Sequence, residues 1–142
     1  SVAIGVLLLA KRFGLFTKKD SAILKKEQKR ELEEEIRKEE RKDVPSYSQT
    51  QYNDFADKIY NALFCPIFVC ADGTDQKAIY NVIRQLKNNL DWLKLKEAFG
   101  NRRIEFTTRS VGLVQNLNAD LSSSQLKEIK NILSQQGISY RV

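Results

Sequence analysis

The chain has 142 residues and a formal net charge of +6, with 24 Lys and Arg against 18 Asp and Glu. It contains no His and only two Cys, which excludes most catalytic triads and leaves a zinc site without enough ligands. Basic residues are interleaved with acidic ones and no nucleic-acid-binding signature is present, so nucleic acid is an alternative partner that we do not favour. We expect a non-enzymatic protein with no small-molecule substrate.

The chain begins with an uncharged apolar run that Lys11 and Arg12 end. A membrane span needs about 20 apolar residues, and residues 1–16 supply fewer. Three interpretations compete: a signal-peptide core, a hydrophobic helix packed on protein, and the end of a transmembrane helix that begins upstream of residue 1. A signal peptide would carry a basic region before the run and small residues at a cleavage site after it. We therefore favour an anchor of the transmembrane type at 1–16.

A basic collar follows the apolar run, and two aromatic residues within it suit the membrane interface. The interface residues are Lys11, Arg12, Phe13, Phe16, Lys18 and Lys19. Lys and Arg beside a span stay on the cytoplasmic side and contact anionic headgroups. The sequence therefore predicts a protein bound to the lipid bilayer through its N-terminal segment. The rest of the chain would lie on the cytoplasmic side or inside a membrane-bounded particle.

Residues 17–44 are densely charged and contain no Gly or Pro. Glu33 and Arg37 have the favourable i,i+4 order, as do Glu34 and Lys38. The few apolar residues do not repeat as sustained heptads, so we predict a helix from Lys18 to Asp43 that is either a solvated single helix or a weak coiled-coil edge. This helical neck would separate the membrane from the rest of the chain. Residues 45–50, which open on a proline, are predicted to be a hinge.

Residues 51–142 are predicted to form a compact all-α head of five short helices. Apolar residues three and four positions apart give each helix one buried face. The fourth helix is predicted from Arg109 to Leu121. The other predicted ends are a capping box of Ser48 and Gln51, Thr74 as an N-cap with Asp75 in the first turn, Asn88 or Asn89 as the start of the third helix, Gly100 after it, a second capping box of Ser122 and Gln125, and Gly137 as the final stop.

Two connecting segments of the head differ in composition from the helices, one apolar and one basic. The segment from Cys65 to Cys70 (CPIFVC) is apolar, and we expect a buried loop. Its cysteines are expected to be small buried apolar side chains, with one disulfide as the alternative. The other segment is strongly basic, and Arg102, Arg103 and Arg109 are predicted to bind a protein partner or phosphate. The tail after residue 137 is expected to pack back on the head.

Several short motifs of the head follow one another in a defined order. ADGTD at Ala71–Asp75 is followed by KAIYNVIRQL and then by EAFG at Glu97–Gly100, and the chain closes with SSSQLKEIKNILSQQGISY. This order resembles an annexin repeat, which has five helices of about this length. The ending is similar to that of stand-alone annexin-like domains of bacterial and phage proteins, several of which begin with a membrane helix and a linker. The resemblance covers roughly residues 51–140.

The resemblance implies a calcium-type loop at Gly73, Thr74 and Asp75. Annexin loops bind calcium through backbone carbonyls, and a carboxylate roughly forty residues downstream completes the oxygen shell. Here Ala71 replaces the first glycine of the pattern, and residues 109–116 contain no Asp or Glu. Glu105 and Asp120 lie on either side of that window. We therefore expect no cofactor, and calcium is the alternative.

The expected function is that of a membrane-anchored structural or scaffolding protein whose helical head binds protein partners. A membrane-containing phage particle and a bacterial inner membrane are the two settings that the resemblance allows. The alternatives are a calcium-dependent lipid-binding module and an internal particle protein that contacts nucleic acid.

Overall fold

The computed structural model describes residues 18–66, 68–70, 73–104 and 107–142, and for residues 18–21 the backbone only. The predicted anchor at 1–16, with Lys11, Arg12, Phe13 and Phe16, lies outside the described residues. Across the described part of the chain, no helix combines the length and the apolar character that a membrane crossing requires. The chain divides into two compact units, residues 1–38 and residues 39–142.

The predicted neck is helical. Helix α1 (Lys18–Glu40) contains 23 residues and begins with Lys18 and Lys19. At 1.5 Å per residue its length is about 35 Å. The helix is shorter than predicted, because the backbone N–H groups of Lys42 and Asp43 both donate to the Glu39 carbonyl oxygen and form a turn. Extended backbone then leads to residue 45, since a residue that precedes proline avoids helical geometry.

The second unit consists of five helices and one pair of two-residue strands in its described part, which confirms the all-α class. The elements are α2 (Gln49–Leu63), α3 (Gln76–Arg84), α4 (Asn89–Phe99), β1 (Arg102–Arg103), β2 (Ser110–Val111), α5 (Leu113–Asp120) and α6 (Ser123–Gln135). Helix α2 packs against α3 and α4, α3 packs against α6, and α4 packs against α5. The core lies between these helices, and Trp92 of α4 is fully buried in it.

Most of the predicted helix ends are correct. Both capping boxes form, with Gln51 N donating to Ser48 Oγ at 3.3 Å and Gln125 N donating to Ser122 Oγ at 3.3 Å. Asn88 caps α4. The chain leaves α4 at Gly100 (φ 58°) and leaves α6 just before Gly137 (φ 73°), where side chains other than glycine are strained.

Two predicted helix starts are wrong. The N-cap of α3 is Asp75, whose carboxylate accepts from Ala78 N at 3.2 Å, and Thr74 lies one residue before it. The predicted fourth helix starts only at Leu113, because Ser110 and Val111 form strand β2. Antiparallel pairing sets Arg102 opposite Val111, so Val111 belongs to a strand rather than to a helix face.

The C-terminal tail packs on the head as predicted. Ile138 is buried at 1 % exposure. Ser139 N donates to Asn89 Oδ1 at 2.9 Å, and Asn89 Nδ2 donates to Ser139 Oγ at 3.1 Å. The tail therefore covers the start of α4 and closes that end of the core.

Candidate functional site

The connection between α2 and α3 contains a disulfide. Cys65 and Cys70 are bonded, with their Cα atoms 5.9 Å apart, so the expectation of two unpaired apolar cysteines is wrong. The N–H groups of Val69 and Cys70 both donate to the Pro66 carbonyl oxygen, at 2.9 and 2.8 Å. This turn and the disulfide close a six-residue ring. We call residues 65–70 the disulfide loop.

The disulfide loop is exposed rather than buried. Phe68 is 90 % exposed and Val69 is 69 % exposed, whereas both cysteines are half-buried. The predicted burial is wrong, because the disulfide and the turn on Pro66 hold the segment in a ring whose described side chains Phe68 and Val69 face solvent. Two adjacent apolar side chains are thus available for contact.

Replacing both Cys65 and Cys70 with Ser is expected to lower the free energy of unfolding by about 2 kcal/mol, the chain-entropy value for so short a ring. Urea unfolding of the oxidised protein and of the double variant measures the difference. Dithiothreitol should bring the wild-type protein to the stability of the variant. A difference that persists after reduction would show that the serines, not the lost bond, cause the effect.

The residues predicted for calcium lie directly after the disulfide loop. Gly73 has a positive φ of 77°, and its N–H donates to the Cys70 carbonyl oxygen at 2.9 Å. Thr74 Oγ1 donates to Asp120 Oδ2 at 2.6 Å, so a carboxylate 46 residues downstream does reach the loop. Asp75 caps α3 with its own carboxylate. Among the described residues, which omit positions 71, 72, 105 and 106, no three His, Cys, Asp or Glu side chains are grouped to hold a metal ion.

The three arginines predicted to bind phosphate do not form one patch. Arg102 is turned toward the domain, where its Nη1 lies 2.9 Å from Asp57 Oδ1 and its Nε donates to the Phe99 carbonyl oxygen at 2.9 Å. Its guanidinium also stacks on Phe99, 4.9 Å from the ring centroid. Arg103 and Arg109 are exposed. Arg102 therefore has a structural position, and among the described residues of the β1–β2 hairpin the exposed charges are those of Arg103 and Arg109.

Replacing Arg102 with Ala is expected to lower the free energy of unfolding by about 1 to 2 kcal/mol, because an exposed ion pair with Asp57, a part-buried hydrogen bond to the Phe99 carbonyl oxygen and a cation–π contact are lost together. The same change at exposed Arg103 should stay within about 0.5 kcal/mol. Thermal unfolding of the two variants compares them directly. Equal losses would contradict the structural position of Arg102.

A polar cluster that sequence reasoning missed fastens residues 44–48 to the head. Asp91 is fully buried, and its Oδ1 accepts from Ser46 N at 3.0 Å and from Tyr52 Oη at 2.6 Å. Its Oδ2 accepts from Lys87 N at 2.8 Å. The Asn88-x-x-Asp91 spacing could have indicated a capping carboxylate. It could not have indicated partners about 40 residues upstream.

The cluster shifts two pKa values in opposite directions. Burial and the hydrogen bond and charge of Asp91 raise the pKa of Tyr52 above its ordinary value. Burial alone would raise the pKa of Asp91, but hydrogen bonds from Tyr52, Ser46 and Lys87 outweigh it and hold that pKa below its ordinary value of 3.8. The carboxylate is therefore the form that the fold stabilises.

The lowered pKa of Asp91 predicts a loss of stability in acid. Because the pKa is lower in the folded state, the stabilisation is fully present above the unfolded value near 4 and is lost as the pH falls through the folded value. The stability difference between the wild type and Asp91→Asn should therefore narrow below pH of about 4. Urea unfolding of both proteins across that range measures it. A difference independent of pH would contradict the assignment.

Comparisons with models of known protein families, with curated proteins and with solved structures found no match to the chain. Three described features of the head expose groups that can contact a partner. These are the apolar tip of the disulfide loop, the Asp120 carboxylate that accepts from Thr74, and the arginines Arg103 and Arg109.

Proposed function

We propose that the chain is a non-enzymatic, membrane-anchored structural or scaffolding protein whose annexin-repeat-like head docks onto partner proteins. The observation that carries the docking is the exposure of Phe68 and Val69 at the tip of the disulfide loop. Aromatic side chains that fill a partner's pocket supply much of the energy of many protein interfaces. A closed ring presents such a side chain with little ordering cost on binding.

Local charge favours a protein over an anionic bilayer as the partner of this loop. Residues 65–70 carry no charge, and the exposed Asp120 carboxylate accepts from Thr74, four residues after the loop. Asp75 is exposed as well. The carboxylates of Asp75 and Asp120 repel anionic headgroups. A protein pocket with a basic rim complements both these carboxylates and the apolar tip of the loop.

The anchor and the compartment are part of the proposal. The apolar segment at 1–16 and its basic collar support attachment to a bilayer with the head on the side that keeps Lys and Arg. The Cys65–Cys70 disulfide supports an oxidising environment, which the cytoplasm is not. The interior of a released, membrane-containing particle satisfies both requirements. We therefore propose that setting, with phage particles as the case suggested by the annexin-like resemblance.

A photo-crosslinking amino acid placed at Phe68 tests the docking in the native membranes or particles. We expect discrete protein adducts from position 68. Val44 is the matched control, because it is 77 % exposed and apolar but lies outside the loop. Adducts with lipid alone, or the same protein adducts from both positions, would contradict docking through the disulfide loop.

The calcium-dependent lipid-binding alternative is favoured by one observation, the Thr74–Asp120 contact at 2.6 Å. It brings an acidic oxygen to the loop in which the resemblance implies calcium ligands. If this alternative holds, calcium should raise the melting temperature of the wild-type protein and leave that of Asp120→Asn unchanged. Equal melting temperatures of the wild type with calcium and with chelator would exclude it.

A further inference from the structure

The charges of α1 are segregated along its length. Residues 18–30 contain six Lys and Arg and two Asp and Glu, whereas residues 31–40 contain six Glu and two Lys and Arg. The helix thus has one basic half and one acidic half, so a charged partner would be attracted by one half and repelled by the other.

The bases of the first half also share one side of the helix. At 100° per residue, Lys25, Lys26, Lys29 and Arg30 fall within an arc of about 140°. Lys25 and Lys29 are i,i+4 neighbours, as are Lys26 and Arg30, and like charges at this spacing repel. Glu27 lies outside the arc. We call these four bases the basic stripe.

The basic stripe is available for contact. Lys26, Lys29 and Arg30 are exposed and Lys25 is half-buried. Among the residues whose side chains the structure describes, one ion pair touches the stripe, between Arg30 Nη1 and Glu27 Oε1 at 3.2 Å, and the Arg30 side chain remains 56 % exposed in it. Exposed pairs of this kind hold their partners weakly. Acidic and basic residues alternate along the sequence, but on the helix these four bases form a surface that is basic only.

We propose that the basic stripe lies against anionic phospholipid headgroups, so that α1 is inclined to the bilayer, with its first half at the headgroups and its acidic half farther from them. This inference rests on the proposed function, because it takes residues 1–16 as the anchor. An anchored chain delivers the stripe to a bilayer within about four turns of helix. A nucleic acid has no such proximity, and the acidic half would repel a phosphate backbone that continued along the helix.

The distance of the four bases from the headgroups decides between an α1 that follows the membrane normal and an α1 that is inclined to the surface. If α1 continued the anchor along the membrane normal, Lys25 to Arg30 would be about 14 to 21 Å beyond residue 16. The Debye length is about 8 Å at physiological salt, so headgroup charge would be screened at that height. A helix inclined to the surface keeps all four bases within one Debye length and leaves the acidic half farther from the headgroups.

Nitroxide labels at two positions test the orientation in the full chain. Ala22 and Glu40 are both exposed, and they are 18 residues apart, which is five turns, so they share the side of the helix that carries the basic stripe. The native cysteines are bonded to each other, so Ala22→Cys and Glu40→Cys each offer one reactive thiol. The readout is the collision rate of the label with a nickel chelate carried on lipid headgroups.

The expected result is a collision rate at position 22 that is roughly fivefold higher in vesicles containing phosphatidylglycerol than in pure phosphatidylcholine vesicles. The increase should disappear at about 1 M salt, where the Debye length is about 3 Å. Position 40 should not respond to lipid charge. Equal rates at position 22 in the two kinds of vesicle would overturn the proposal.

Two matched variants carry the position 22 label. Changing all four bases of the stripe to Gln keeps a good helix former at each position and should abolish the response to phosphatidylglycerol. The control changes Glu31, Glu34, Arg37 and Lys38 to Gln and should keep the response. A response retained by the stripe variant would refute the proposal.

Flotation separates this inference from the anchor on which it rests. If the anchor is wrong, the protein will not float with phosphatidylcholine vesicles, and only phosphatidylglycerol vesicles will carry it, through the stripe. If the inference is wrong, the protein will float with both and position 22 will not respond to lipid charge. Binding to duplex DNA that the stripe variant loses, without any vesicle response, would assign the stripe to nucleic acid and overturn the proposal.

Discussion

Replacing Asp91 with Ala is expected to lower the free energy of unfolding by about 4 kcal/mol. The substitution leaves three donors without their acceptor, on Ser46, Tyr52 and Lys87, at a site where the carboxylate is fully buried. A buried donor without an acceptor costs about 1 to 3 kcal/mol. Water that enters the vacated space accepts from some of these donors and so reduces the total loss. The loss also frees residues 44–48 from the head. Urea unfolding followed by the fluorescence of buried Trp92 measures it.

Two other variants separate the causes of that loss. Asp91→Asn keeps the shape and one acceptor oxygen but sets an amide N–H₂ against one of the donors, so we expect about half the effect. Asp54→Ala removes a carboxylate that is 57 % exposed and paired with Lys58, and should cost less than about 0.5 kcal/mol. If Asp91→Ala costs no more than Asp54→Ala, the cluster does not fasten residues 44–48 to the head.

Replacing Asn116 with Asp is expected to lower the free energy of unfolding by roughly 3 to 4 kcal/mol. The Asn116 amide nitrogen donates to the carbonyl oxygens of Arg102, Val111 and Gly112, at 3.0, 2.9 and 3.2 Å, and the residue is 3 % exposed. A carboxylate at this position would face three acceptors with no proton to share. The hairpin of β1 and β2 should then separate from α5.

Asn118 provides the matched control for that change. It lies on the same helix, is exposed, and its Nδ2 donates to a single carbonyl oxygen, that of Val114, at 2.8 Å. Asn118→Asp should cost less than about 1 kcal/mol. Hydrogen exchange should show lost protection at Ile104, whose N–H donates to the Arg109 carbonyl oxygen at 2.9 Å, in the Asn116 variant alone. Equal destabilisation by the two substitutions would contradict the account.

The helices of the head could be predicted because their signals are local. The Ser48 and Ser122 capping boxes depend on residues three positions apart, and apolar stripes depend on residues three and four apart. Gly100 and Gly137 end helices through their own backbone freedom. Five helices in the correct order follow from such signals, with starts that are wrong by one residue for α3 and by four for α5.

The failed predictions depend on contacts distant in sequence. Ser110 and Val111 lie in a segment predicted to be helical, but pairing with β1 and the hydrogen bond from the Asn116 amide hold them in a strand. Spacing alone could not show that Cys65 and Cys70 bond, or that Phe68 points to solvent. Arg102 looked like a phosphate ligand until the structure placed Asp57 beside it. Each of these outcomes is decided by tertiary placement, which local propensity does not contain.

The proposed sites are distributed over the two compact units. In the first unit the basic stripe of α1 is assigned to lipid, and in the second unit the tip of the disulfide loop is assigned to protein. The two surfaces differ in charge. The stripe is cationic, whereas the loop tip is uncharged and is followed by Thr74, which contacts the Asp120 carboxylate. High salt should therefore release the stripe from its partner while leaving contacts of the loop in place.

Membrane attachment through residues 1–16 is the central claim, and an alkaline carbonate wash followed by flotation tests it most directly. The wash strips proteins held by charge alone, so we predict that the native protein floats with its membranes afterwards. A variant with Leu8→Glu should be released, because a carboxylate in the apolar core of a span is costly. Release of the unaltered protein into the soluble fraction would contradict membrane anchoring.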